Sequence, residues 1–100
     1  MMKALRPLGD NSSLTVPEHV LARQASGETV LLNLQNEQYY GLDGVGTRLW
    51  ELVEAGTTFG DAVRTLLEEY DVERAALVAD LEALVAELHE NGLVAIDAQQ

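Results

Sequence analysis

The sequence predicts a small α+β domain in which a three-stranded antiparallel sheet is followed by three helices. Three observations carry that expectation. The chain has 100 residues, 47% of them apolar, enough for about one domain with a single modest core. Apolar residues alternate with a period near two up to Leu42 and with a period near 3.6 from Asp43 onward. Turn-forming groups punctuate the pattern at Ser26-Gly27, Gln35-Asn36-Glu37, Gly56 and Asn91-Gly92.

Residues 1–15 show no sustained period and carry Pro7, Gly9, Asp10, Asn11, Ser12 and Ser13, so they read as a flexible N-terminal arm. The folded domain is expected over 16–96 and a short tail over 97–100. His19–Gln24 is a short mixed strand closed by Ser26-Gly27. Thr29–Leu34 follows, with Val30, Leu32 and Leu34 sharing one face. Gln35-Asn36-Glu37 turns the chain into a third, aromatic strand, Gln38–Leu42. Tight turns between all three make an antiparallel meander. Tyr39 and Tyr40 are adjacent on that strand, so one ring enters the core and the other faces outward.

Asp43 is a candidate N-cap for a first helix whose buried stripe is Val45, Leu49, Leu52 and Val53, with Gly56 past its end. Trp50 lies off that stripe and is expected partly exposed or at a rim. Thr58 with Asp61 has capping-box spacing, and Phe59, Ala62, Val63, Leu66, Leu67 and Tyr70 form the face of a second helix. A third helix spans about 73–90, with Val72 and Leu77 spaced as a hydrophobic staple and Asn91-Gly92 as its stop. Leu93–Ile96 returns as a short apolar strand or as an extended tail.

The third helix has two distinct flanks. At ~100° per residue, Leu77, Leu81, Leu84 and Leu88 share a stripe about 60° wide. Val78 and Val85 lengthen one side of it, near Arg74, Glu82 and His89. Asp80 and Glu87 occupy the other side. The valines either widen a core face or line a groove beside the sheet.

Charge and composition exclude several functions. There is no cysteine, hence no disulfide, thiolate metal site or iron–sulfur cluster. No apolar run is long enough to span a membrane, and residues 1–7 lack a secretory h-region, so the cytoplasm is the expected compartment. The net charge of −11 is uneven. Residues 1–48 hold four basic and five acidic side chains, whereas 49–100 hold two basic and twelve acidic ones. A nucleic acid needs basic residues against its phosphates, so no nucleic-acid partner is expected. The acids either keep a small domain soluble or attract a basic peptide.

No catalytic constellation is legible. His19 and His89 are far apart on different elements, so no metal site is expected. Gly44-Val45-Gly46 stands between a strand and a helix, but Leu49 occupies the third glycine position of a dinucleotide fingerprint. The glutamates have the spacing of a solvated helix surface. The expectation is a protein that is not an enzyme and carries no cofactor.

Tyr39-Tyr40-Gly41-Leu42-Asp43 and Gly46-Thr47-Arg48-Leu49-Trp50-Glu51-Leu52 resemble, in order and spacing, segments of the PqqD family. Leu66-Leu67-Glu68-Glu69-Tyr70-Asp71-Val72, the helix with Asp80-Leu81 through Leu88, and Asn91-Gly92-Leu93 continue the likeness, over about 18–96. The resemblance implies a winged-helix-like fold. It also implies a recognition element for precursors of ribosomally made, modified peptides (RiPPs). Such a domain binds a precursor's leader region and presents it to a leader protease or other modifying enzyme, as in pyrroloquinoline quinone or lasso-peptide clusters.

The implied binding mode is addition of the leader as a further strand on Gln38, Tyr39, Tyr40, Gly41 and Leu42, toward the third helix. An edge strand with unpaired backbone groups permits this. Val78, Leu81 and Val85 would supply apolar pockets, and Arg74, Asp80 and Glu82 charged partners. Asp80 lies on the flank opposite the valines, so the two assignments compete for one groove. Two other classes share the element order: a winged-helix DNA-binding regulator, whose recognition helix should be basic, and a homodimeric interaction module.

Overall fold

The computed structural model describes residue 9 and residues 11–97. Two small sheets and three helices make up the chain. The strands are β1 (Ser13–Thr15), β2 (Val20–Ala25), β3 (Glu28–Asn33), β4 (Gln38–Asp43) and β5 (Ala95–Asp97). The helices are α1 (Gly44–Glu54), α2 (Phe59–Glu69) and α3 (Arg74–Glu90). β2, β3 and β4 form the expected antiparallel meander in that spatial order. The β2–β3 connection is the two-residue turn Ser26-Gly27, with φ of 55° and 79°, the positive values that match the twist of a hairpin. No helix among the described residues is long and apolar enough to cross a membrane.

The second sheet departs from the sequence expectation. Ser13–Thr15, read as the end of a loose arm, is a strand paired antiparallel with β5, so Leu14 stands opposite Ile96. Leu14 is buried among the helices, and the Phe59 N–H donates to the Ser12 carbonyl at 2.8 Å, tying β1 to the start of α2. Burial of one leucine and a ladder to a distant segment are long-range facts that local composition does not carry. Residues 1–8, 10 and 98–100, read as arm and tail, lie outside the described residues.

The helix boundaries follow their local signals. Thr58 caps α2, its Oγ1 accepting from the Asp61 N–H at 3.2 Å. Asp43 is the N-cap of α1 by position, with no side-chain cap bond. At the end of α3, Gly92 has φ of 72°, and a Cβ there would stand 3.0 Å from Asn33 Nδ2. Only glycine suits that place. Asn33 Nδ2 donates to the Asn91 carbonyl at 2.9 Å, and a His19–Gly92 bond of 2.9 Å lies beside it, so the end of α3 is held on the sheet.

The core has two parts that meet at α1. Leu49, Leu52 and Val53 pack with Phe59, Val63 and Leu66 of α2 and Leu77, Leu81 and Val85 of α3. Trp50 joins Val20, Leu31, Leu42, Leu88, Leu93 and Val94 under the sheet. The expectation for Trp50 is therefore overturned: it is 1% exposed. A wheel built on one stripe misses it because α1 is covered on two sides, by helices and by the sheet. Its indole N–H has no hydrogen-bond partner among the described residues.

Alternation along β3 buries the set of residues opposite to Val30 and Leu34. Thr29, Leu31 and Asn33 point inward, whereas Val30 and Leu34 are exposed. Two polar side chains can occupy the inner face because each has a partner. Thr29 Oγ1 donates to Thr47 Oγ1 at 3.0 Å, and Asn33 makes the bond described above.

Candidate functional site

β4 lies at the edge of its sheet. β3 holds one side, and no strand among the described residues holds the other. Such a strand retains a row of N–H and C=O groups that a further strand can complete. Alternation places Tyr40 and Leu42 on the inner face, and Tyr39 and Gly41 on the outer face. Leu42 is buried, Tyr40 half-buried and Tyr39 71% exposed, so the adjacent tyrosines divide between core and solvent. Gln38 is exposed at the start of the strand.

α3 reaches this strand at two points. At one, the Tyr40 phenol comes within hydrogen-bonding influence of the Glu87 carboxylate. Burial, then that influence, then the carboxylate's charge push the Tyr40 phenol up to about 12. At the other, Leu42 and Leu84 close over Gly46. A Cβ on Gly46 would stand 3.4 Å from Leu42 Cδ2 and 3.5 Å from Leu84 Cδ2. The Thr47 hydroxyl donates to the Leu42 carbonyl at 3.1 Å and so fixes the first turn of α1 to the end of β4.

Beyond Gly46 a cavity of about 210 Å³ opens between the first turn of α1 and the first half of α3. That exceeds the ~150 Å³ that accepts a benzene-sized group, so it accommodates an apolar side chain. Val45 and Gly46 form one wall. Leu77, Leu81 and Leu84 form the floor, and Val72, Ala76 and Asp80 the rim. Asp80 is the charged member of this lining. It takes part in none of the ion pairs among the described residues, which join Arg48 to Glu51 and Glu69, and Arg64 to Asp61. The Arg48 pairs lie elsewhere and brace α1 on α2, holding the Glu69 carboxyl below its ordinary range.

The sequence-derived residues therefore separate. Gln38, Tyr39, Tyr40, Gly41 and Leu42 form the free edge. Asp80 and Leu81 line the cavity beside it. The valine flank does not. Val85 is 1% exposed among α1 and α2 side chains, and Val78 is half-buried against the same cluster. α2 covers that flank, so Val78 and Val85 complete the core. Arg74 is exposed in the first turn of α3 and Glu82 is half-buried, and neither lines the cavity. Val45, Gly46, Val72, Ala76 and Leu84 were not singled out as groove residues. One signal was available: Ala76 is small and on the Asp80 flank, so that side of α3 leaves space.

Residues 28–94 match the family described as coenzyme PQQ synthesis protein D (PqqD). Two solved structures are similar. One, described as "TbiB1 in Complex with the TbiA(beta) Leader Peptide", is 34% identical with a TM-score of 0.77, over 80% of this chain and 93% of that one. The other, "Lasso peptide synthetase B1 complexed with the leader peptide", is 26% identical with a TM-score of 0.76, over 83% of this chain and 98% of that one. A search of curated proteins finds no match.

Proposed function

The chain belongs to the PqqD family, and we propose that it is a non-catalytic leader-peptide-binding protein of lasso-peptide-type biosynthesis. It captures the leader of a ribosomal precursor by strand addition on β4 and presents the precursor to a leader protease or other modifying enzyme. The observation that carries this reading is a free sheet edge, Gln38–Asp43, ending beside an apolar cavity on α3. Backbone bonds to the edge give affinity, and a side chain in the cavity gives specificity. Both similar solved structures are described as complexes with a leader peptide, which supports the same occupant here.

The chemistry would come from the partner enzyme. The cytoplasm, where precursors are made, is the proposed compartment. The test is a calorimetric titration of the chain with synthetic leader peptides of lasso-peptide precursors. Wild type should bind with a well-defined stoichiometry. Ala76→Trp places an indole in the cavity from an exposed position and should weaken binding more than tenfold, i.e. by over ~1.4 kcal/mol. Equal affinity of wild type and this variant would remove the cavity from the account. Processing of a precursor by its protease should also require this chain. Activity of the isolated chain on the precursor would refute the adaptor role.

A further inference from the structure

We infer that the groove selects peptides carrying a lysine or arginine beside their apolar anchor, with Asp80 as the specificity-determining residue. This deepens the leader-binding reading and rests on it.

The geometry supplies the argument. The cavity is apolar apart from Asp80, which stands at its rim, exposed and in none of the ion pairs among the described residues. On α3, Asp80 and Glu87 lie at about −60° and −80° from Leu77, whereas Arg74 lies at about +60°, on the far side of the stripe. The flank facing the groove is thus acidic without a compensating base. Glu87 lies toward Tyr40, whereas Asp80 is the carboxylate that lines the cavity itself.

A peptide strand seated on β4 would cover Asp80 and strip part of its water. A covered carboxylate without a partner is costly, and a peptide carboxylate there would add like-charge repulsion. A peptide cation offsets both. Side chains on one face of a strand recur every two residues, ~6.6–6.8 Å apart. The cation should therefore stand two positions from the anchor.

The experiment is selection of a random displayed dodecapeptide library on the full chain, in parallel with Asp80→Lys. Asp80 is exposed, so that variant should keep its fold, as checked by circular dichroism. Peptides count only if Ala76→Trp abolishes their capture. The expected wild-type pool pairs an apolar anchor with Lys or Arg two positions away. Replacing that cation by Glu should weaken binding at least tenfold, and the Asp80→Lys pool should carry Asp or Glu there instead. Groove-dependent pools with the same charge pattern on both proteins would overturn the inference and leave the leader-binding reading standing. No groove-dependent peptide on either protein would overturn both.

Discussion

Val85→Ala should destabilise the domain without touching the groove. Val85 is 1% exposed and belongs to the buried cluster that joins α1, α2 and α3. The substitution removes two methyl groups, worth ~0.8 kcal/mol each by transfer. A void of ~40 Å³ at ~24 cal/mol per Å³ adds about 1 kcal/mol. The expected loss is about 2.5 kcal/mol. For a domain of 100 residues this lowers Tm by ~10–20 °C. The assay is thermal unfolding by circular dichroism, paired with leader titration well below the variant's Tm. Affinity should match wild type. An unchanged Tm, or a tenfold loss of affinity in the folded variant, would return Val85 to the groove and refute the assignment of the two flanks of α3.

Three further outcomes follow from local geometry. The raised Tyr40 phenol favours the protonated, folded state, so its contribution is complete below the ordinary value near 10 and is lost as pH rises through about 12. Chemical denaturation across pH 9–12 should show that fall, and Tyr40→Phe should flatten it. Thr58→Ala removes the bond to the Asp61 N–H and should cost ~1 kcal/mol, read as a shift in the urea midpoint. Glu37 holds φ of 61°, so Glu37→Gly should raise stability by up to ~1 kcal/mol in the same assay.

Much of this architecture was legible because its signals are local. The period change at Asp43, the cap at Thr58 and the stop at Asn91-Gly92 placed all three helices, and the turns placed β2–β4 within a residue or so. Contacts between distant segments were not legible. Nothing in Ser13–Thr15 announces its pairing with Ala95–Asp97, and nothing around Trp50 shows that the sheet covers the second side of α1. The site divided in the same way. An aromatic edge strand could be read from alternation and turns. The groove flank of α3 could not, since a helical wheel gives angles about an axis and leaves open which neighbour lies at each angle. α2 took the valine side, and the space was left beside Ala76 and Asp80.

Residue-resolved amide exchange with and without the leader tests strand addition most directly. An added strand on β4 predicts strong new protection at alternate N–H groups of Gln38–Asp43, with chemical-shift changes at Ala76, Asp80 and Leu84 and none at Val85. New protection on β2 or at Leu21, Val30 and Tyr39 of the outer sheet face, with the β4 edge unchanged, would contradict it.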